Sequence, residues 1–207
     1  MSLFDFFTDV LTMEYSQGSY TNSKHEKCVK ALLIKNGFTE SKLKGISKKR
    51  KAEVLKTNNF PELNEMEFIC QPVGNNNSPD FIVVFKNLPY FIECKSSKRI
   101  YPVFNGGMPI EDHIYIFSGC KYNSTTIFYG RDILSESIRK MLNKITIEIK
   151  KIANEFNKEL KNDRSNNRGF AFYCRNMYIQ LGGNKNVNYF THKNRDECER
   201  NVLDTFR

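Results

Sequence analysis

The stretch SPDFIVVFKNLPYFIECK, residues 78–95, decides the fold. Its two halves, Phe81–Phe85 and Tyr90–Lys95, are rich in β-branched and aromatic residues, which favour strands, and Asn87-Leu88-Pro89 between them is typical of a turn. The second half is apolar at nearly every position until its end, as expected of a strand covered on both faces. We therefore predict a β-hairpin in the core of a sheet.

Further strands and helices are predicted around this hairpin. Strands are expected at residues 67–70, 113–117 and 125–129, and residues 170–181 are also strand-like. Apolar spacing predicts a helix at 22–37, on which we interpret His25 as a surface residue, and a long helix from 132 to about 161. In that long helix apolar residues recur every three or four positions, a seam typical of core or dimer packing.

Length and composition limit the class of protein. The 207 residues fit one domain with an elaboration, and 40% hydrophobic with 27% charged residues is a globular balance that excludes a disordered chain. The sequence has no run of eighteen apolar residues, so we expect no membrane span. The acidic N-terminus argues against a secretory signal, and the six scattered cysteines predict reduced thiols, so we expect a cytoplasmic protein.

The charge balance indicates a polyanionic partner. Thirty-two Lys and Arg residues against twenty-three Asp and Glu give a net charge of +9. A basic run at residues 42–56 contains seven Lys or Arg residues and one acid. Such a run is either a solvated face or a surface that lies along phosphates, and the sequence leaves both interpretations open.

The hairpin brings acidic and basic side chains together. With Asn87 and Leu88 as a two-residue loop, cross-strand partners have numbers that sum to 175, so that Asp80 faces Lys95. Alternation along the strands then places Asp80, Glu93 and Lys95 on one face. The β-carbons of Asp80 and Glu93 are expected roughly 7–8 Å apart, and those of Asp80 and Lys95 about 5 Å apart.

Two carboxylates at that separation repel each other unless a cation lies between them. Mg²⁺ is usually held by one or two carboxylates with waters, and it lowers the pKa of its water and neutralises charge on a phosphoryl oxygen. Lys95 is then suited to orient or deprotonate the attacking water, or to stabilise the transition-state charge. The alternative is an ordinary ion pair at the end of a strand.

The order Pro79-Asp80, a twelve-residue gap and Glu93-Cys94-Lys95, flanked by apolar strands, resembles the PD-(D/E)xK nuclease superfamily. Many members also carry a glutamate in the first core helix, and Glu26 occupies the matching place in the predicted helix at 22–37. The approach to the motif at residues 71–81 is similar to the loop before the catalytic strand of several type II restriction endonucleases. The resemblance covers residues 22–97.

The resemblance implies an α/β fold with a restriction-endonuclease-like core, a mixed central β-sheet flanked by helices on both faces. It also implies Mg²⁺ bound by Asp80, Glu93 and the main-chain carbonyl of Cys94, with Lys95 next to the attacking water. Glu26 assists from the helix and is a possible further metal ligand. We predict a single nuclease domain, 1–207, with a basic insertion at about 39–62 and a polar, basic C-terminal extension.

The function expected from this resemblance is a Mg²⁺-dependent type II restriction endonuclease that cuts double-stranded DNA at a short sequence and leaves 5′-phosphate ends. A homodimer and a cognate DNA methyltransferase are the expected partners. The rivals are another nuclease of the superfamily, acting on junctions, repair sites or transposon ends, and a non-catalytic nucleic-acid-binding protein.

Contacts to DNA are expected from polar and basic residues in the loops that flank the sheet. The asparagine loop before Asp80 is the best candidate for reading bases, because Asn bridges an adenine edge in the major groove. The candidates are Asn75, Asn76, Asn77, Lys98, Arg99, Tyr101, Asn105, Lys121 and Asn123.

Overall fold

The computed structural model has a six-stranded sheet and describes residues 2–15, 22–74, 77–174, 178, 180 and 187–207. Its elements are α1 (Leu3–Leu11), α2 (Asn22–Lys35), β1 (Thr39–Glu40), α3 (Lys48–Thr57), β2 (Glu67–Cys70), β3 (Phe81–Phe85), β4 (Leu88–Ser97), β5 (Ile114–Gly119), β6 (Ser124–Tyr129), α4 (Gly130–Ile133), α5 (Glu136–Asn162) and α6 (Arg195–Asp204). The strands lie in chain order across the sheet. The pairs β1/β2 and β4/β5 are parallel and the other pairs are antiparallel, so the expected α/β fold with a mixed sheet is confirmed.

The two faces of the sheet are covered differently. Alternate residues such as Val83 and Ile92 pack with α1, α2 and α6 on the first face. On the second face, Ile82 and Phe91 pack against Val54 of α3. Farther along this second face, Tyr115 and the buried aromatic residues around it pack with Phe190 and other residues near the C-terminus. Helices therefore lie on both faces, and the second face is the one that carries Glu93, because Glu93 pairs with Tyr115.

The predicted hairpin is present, but its turn lies one residue earlier than expected. Phe85 pairs with Leu88 and Phe81 pairs with Ile92, so paired residue numbers sum to 173 rather than 175. Lys86 and Asn87 form the turn, and both have left-handed backbones, with φ of 51° and 59°, as a type I′ turn requires.

A side chain outside the hairpin fixes this turn. The carboxylate of Glu65 accepts hydrogen bonds from the backbone N–H groups of Lys86 (2.7 Å) and Asn87 (2.8 Å). Leu88 and Pro89, predicted as turn residues, therefore begin β4. The register shifts by two, which keeps every side chain on its expected face but brings Asp80 beside Glu93 instead of Lys95.

Other elements match the expectations, with differences at their ends. The strands expected at 67–70, 113–117 and 125–129 are present, and the helix at 22–37 is confirmed as α2. The predicted basic insertion at 39–62 contributes β1 and α3. The long helix begins at Glu136 rather than 132, because the Ser135 hydroxyl accepts a hydrogen bond from the Ile138 N–H (3.4 Å) and caps it.

The strand-like reading of residues 170–181 is wrong over the part that the structure describes. Residues 170–174 have no regular structure, and Tyr178 makes only an isolated bridge to Phe104. Asparagine side chains hold this backbone instead: Asn157 bonds the N–H and C=O groups of Phe172, and Asn166 bonds those of Phe170. Strand-like composition alone therefore does not produce a strand in this part of the chain.

His25 is buried rather than at the surface, because α2 packs its side chain onto β5. Its Nε2 lies 3.3 Å from the Ile116 carbonyl oxygen and its Nδ1 lies 3.4 Å from the Ser118 hydroxyl. Burial lowers the pKa of His25 to about 4. His113, stacked on Phe91 with ring centroids 5.3 Å apart, is also buried, and burial with nearby Lys51 lowers its pKa to about 3.

These buried histidines predict acid sensitivity. Because their folded pKa values lie below the ordinary value of 6.5, their contribution to stability is complete above pH 6.5 and is lost as the pH falls toward 4. His113→Phe, which keeps an aromatic ring on Phe91, should make the free energy of unfolding fall less steeply over this range. Urea unfolding at several pH values measures this slope, and parallel curves for wild type and variant would contradict the expectation.

Candidate functional site

A cleft of about 820 Å³ opens on the second face, where β3 begins and β4 approaches its end. Asp80, Glu93 and Lys95 line it together. The cleft wall also includes residues from α2, from α3 and from the segment at 104–110, so one cavity joins parts of the chain that are distant in sequence. The side chains with charge or hydrogen-bonding capacity at its wall are Glu26, Lys48, Lys51, Gln71, Asn77, Ser78, Asp80, Glu93, Lys95, Asn105 and Tyr115.

Glu93 is the centre of the charged group. It is only 8% exposed, and its Oε1 accepts a hydrogen bond from the Lys95 ammonium at 2.7 Å. Its other oxygen, Oε2, is buried and has no hydrogen-bond partner among the described residues. An ionised oxygen without a partner in a buried place is costly, so Glu93 retains an unused capacity to bind a positive group.

Asp80 lies beside Glu93 and shares its cleft. Its Oδ2 accepts a hydrogen bond from the backbone N–H of Cys94 (2.7 Å), which fixes the carboxylate against β4. Burial raises the pKa of Asp80 well above its ordinary value, and the charge of Glu93 raises it further. A cation between the two carboxylates would reduce the repulsion between them.

Glu26 enters the same cleft from α2, on the other side of the sheet. The side-chain amide of Gln71, the first residue after β2, donates a hydrogen bond to Glu26 Oε2 at 2.9 Å. Burial raises the pKa of Glu26, and the charge of Glu93 adds to this effect while the Gln71 bond opposes it. The structure thus brings all four acidic and basic side chains of the proposed motif to one cavity, despite the intervening segment at 39–62.

The donor set suits a hard divalent cation. Asp80 and Glu93 supply carboxylate oxygens, and the side chain of Cys94 is buried in the first-face core, so it is the Cys94 backbone that borders the cleft. Within the described ranges, no three His, Cys, Asp or Glu side chains are close enough together to hold a metal by themselves. Mg²⁺ does not require three, because it commonly binds one or two carboxylates and completes its shell with waters and substrate phosphates.

Lys51 is a cleft residue that the sequence did not assign. Ser47 caps α3 by accepting from the Arg50 N–H (3.1 Å), and Val54 anchors the helix in the second-face core. Lys51 is thereby turned inward, and its ammonium donates to the Ser78 carbonyl. Burial lowers the pKa of Lys51, and neighbouring Lys48 contributes, while Glu93 acts in the opposite direction.

The same contact supports the loop before Asp80. The hydroxyl of Ser78 lies 3.1 Å from His113 Nδ1, and its carbonyl accepts from Lys51. Two buried or half-buried side chains therefore hold the chain two residues before Asp80. The basic run at 42–56 was the visible signal for Lys51, but a run of lysines does not reveal which one folds over the sheet.

The residues expected to contact DNA divide into two groups. Asn77 and Asn105 lie at the cleft, whereas Asn75 and Asn76 lie outside the described residues. The second group lies near the ends of β4 and β5, which run parallel and finish side by side at Ser97 and Gly119. Its members are Lys98, Arg99 and Tyr101 after β4, and Lys121 and Asn123 in the connection from β5 to β6.

Three residues of the second group make contacts that show how they are held. The Arg99 guanidinium lies over the Tyr101 ring, 5.6 Å from its centroid, and donates to the Tyr101 hydroxyl at 3.3 Å. Asn123 has a left-handed backbone and its amide donates to Glu14 Oε2 at 3.0 Å. Asn123 thus has a local role in the turn, and Arg99 with Tyr101 forms a small basic surface after the end of β4.

Comparison with protein-family models, with curated proteins and with solved structures finds no match to this chain. Among the described residues, no helix is both long enough and apolar enough to cross a membrane. All six cysteines lie in the described ranges, and no disulfide joins them. The chemistry of the cleft is therefore the basis for assigning a function.

The charge conflict at Asp80 yields a stability prediction. Because the folded pKa is raised, the contribution of Asp80 to stability is lost as the pH rises above its ordinary value of 3.8. Without divalent ions at pH 8, Asp80→Asn should therefore unfold with a free energy higher than wild type, by roughly 1–3 kcal/mol.

Addition of Mg²⁺ should stabilise the wild type and leave Asp80→Asn unchanged, because the variant lacks one carboxylate of the pair. Urea unfolding with and without Mg²⁺ measures both effects. A variant less stable than wild type without metal, or stabilised equally by Mg²⁺, would contradict this account of the cleft.

Proposed function

We propose that this chain is a Mg²⁺-dependent endonuclease with a restriction-endonuclease-like core of the PD-(D/E)xK superfamily. It acts as a type II restriction enzyme, which hydrolyses phosphodiester bonds of double-stranded DNA at a short specific sequence and leaves 5′-phosphate ends. The observation that carries this proposal is the pairing of Asp80 with Glu93 in a cleft. Lys95 binds one oxygen of Glu93, and the other oxygen has no hydrogen-bond partner in the part of the chain that the structure describes.

The metal ligands in this proposal are Asp80, Glu93 and the main-chain carbonyl of Cys94, and Glu26 assists from α2. Bound Mg²⁺ supplies charge neutralisation at the phosphate and a water of lowered pKa. The chain's own residues hold the geometry: the Cys94 N–H orients Asp80, and Gln71 orients Glu26. The first donor lies within β4 and the second directly follows β2, so both are fixed by the sheet and the acidic side chains are organised before substrate arrives.

Lys95 acts on the proton of the attacking water and on the charge that develops in the transition state. Its side chain is 19% exposed and its ammonium lies 2.7 Å from Glu93 Oε1, so the ammonium has donors left to orient an attacking water or to stabilise the phosphorane oxygens. Lys48 and Lys51 of α3 also line the cleft and add positive charge for a scissile phosphate. An anionic substrate is therefore attracted to a cleft whose centre is acidic.

DNA is the proposed substrate because of the net charge of +9 and the position of the basic side chains. Asn77 and Asn105 at the cleft are the described candidates for base contacts, and the group near the ends of β4 and β5 is suited to backbone phosphates. A homodimer, a cognate DNA methyltransferase and a cytoplasmic location complete the proposal.

Digestion of a mapped plasmid in the presence of Mg²⁺ tests this function. Discrete fragments whose ends carry 5′-phosphates and ligate are the expected result. Cutting of branched DNA alone would point to a junction-resolving nuclease. Retention of DNA without cleavage at any Mg²⁺ concentration would reduce Asp80, Glu93 and Lys95 to a structural ion cluster and overturn the proposal.

Substitution of the charged residues should abolish cleavage without loss of the fold. Asp80→Ala, Glu93→Ala and Lys95→Ala are each expected to lower the cleavage rate by at least about 1,000-fold, because each removes a group that acts on the transition state. Asp112→Ala is the matched control, since its ion pair with Arg131 lies on the surface. Wild-type rates in any of the three variants would contradict the assigned roles.

Lys51 offers a test of the second wall of the cleft. Lys51→Met keeps the buried stem but removes the charge, and it should lower kcat/KM for DNA cleavage by roughly 10- to 100-fold, whereas Lys51→Arg should retain most of it. Lys49→Met, on the exposed side of the same helix, serves as the control. Equal rates for Lys51→Met and its control would limit Lys51 to supporting the Ser78 loop.

A further inference from the structure

The helix α5 is 27 residues long and none of its residues is buried. It nevertheless carries a continuous apolar row, which we name the α5 stripe. Side chains of this row are between 42% and 61% exposed. Its exposed members are Ile138, Met141, Ile145, Ile149, Ile152 and Phe156.

The described part of the chain does not cover this row. The segment that follows α5 folds back along one edge of the helix, where Asn157 bonds the Phe172 backbone and the Thr146 hydroxyl lies 2.8 Å from the Tyr178 hydroxyl. Thr146 and Asn157 lie beside the α5 stripe on the helix surface rather than on it. The returning segment also adds exposed aromatic rings, Phe170, Phe172 and Tyr173, at 60–85% exposure.

The exposed apolar area is too large for an isolated surface. With about 200 Å² for each large apolar side chain, the stripe and the three aromatic residues expose roughly 1,000 Å². The largest apolar patch on a typical monomer is about 300–600 Å², and a stable interface buries about 800 Å² on each partner. The patch therefore has the size of one half of a protein interface.

The spacing of the row identifies a second copy as the occupant. When Leu142, the neighbour of Met141 on the same side of the helix, is taken as the second position, successive positions are separated by four, three, four, three and four residues. This is the heptad spacing of a coiled coil, and the order is the same in both directions. Two antiparallel copies related by a two-fold axis therefore place Ile138 opposite Phe156 at each end. The six positions in this register are Ile138, Leu142, Ile145, Ile149, Ile152 and Phe156.

We propose that two copies of this chain dimerise through their α5 stripes, packed antiparallel about a two-fold axis. Closed two-fold dimers are the commonest homo-oligomers, because one self-complementary patch serves both subunits. The opposite side of α5 carries Lys140, Lys144, Lys151 and Lys158 and stays in solvent in this arrangement. The proposal assigns an interface and an orientation to the homodimer named in the proposed function, and because its tests measure molar mass and cross-linking, its failure is distinguishable from a failure of the nuclease function.

Measurement of molar mass by light scattering during gel filtration tests the dimer. Wild type at tens of micromolar should have twice the chain mass. The double variant Ile145→Glu with Ile149→Glu should be monomeric, with the dissociation constant raised at least about 100-fold, because four carboxylates would meet at the axis. Ile147→Glu is the matched control: Ile147 is 64% exposed on the opposite side of the same helix, so its variant should remain dimeric.

The variants are expected to keep the stability of the monomer fold, because the substituted side chains are exposed in a single chain. A urea unfolding curve of the monomer checks this point. A monomeric wild type, a double variant that remains dimeric, or an equal effect of Ile147→Glu would each overturn the proposal. A monomeric wild type that binds vesicles or another protein through the α5 stripe would overturn it as well.

Oxidative cross-linking tests the antiparallel register. Chains with Ile138→Cys and chains with Phe156→Cys should form a new disulfide-linked dimer when mixed, and neither should do so alone, with wild type as the control for the native cysteines. Cross-linking of each variant with itself would indicate parallel helices and contradict the proposed arrangement. A mixture without the new dimer would contradict it as well.

Discussion

The repulsion between two acidic side chains held next to each other in a buried cleft is the constraint on which this account depends. Asp80 and Glu93 come from neighbouring strands whose apolar residues are fixed in the core, so neither can move away without moving the sheet. Lys95 satisfies only one oxygen of Glu93. A buried carboxylate oxygen without a partner is costly, and we propose that a divalent ion binds these oxygen donors.

The register of the hairpin sets this repulsion. The two N–H groups of the Lys86–Asn87 turn are bound by Glu65, a residue outside the hairpin. The sequence pattern alone favours the flexible Asn87 and the following Leu88 and Pro89 as the turn, because no local rule reveals a carboxylate arriving from another segment. The shift of two residues preserved the faces but exchanged the cross-strand neighbour of Asp80, which made the acidic pair closer than expected.

Much of the sheet was accessible from the sequence, because strands such as Phe81–Phe85 combine β-branched residues with clear flanking turns. The shared face of Asp80, Glu93 and Lys95 followed from alternation alone. Long-range packing could not be predicted from the sequence. The burial of His25 depends on how α2 lies on β5, and the position of Lys51 in the cleft depends on how α3 crosses the sheet. The apolar row of α5 was recognised as a packing seam, whereas its exposure required coordinates.

The most direct test is a titration of the protein with Mn²⁺, a paramagnetic substitute for Mg²⁺, followed by electron paramagnetic resonance of the unbound ion. The account predicts saturable binding by the wild type that is strongly weakened in Asp80→Asn and in Glu93→Gln, without DNA present. Absence of saturable binding, or binding that is the same in both variants, would contradict the claim that these two carboxylates form a divalent-ion site.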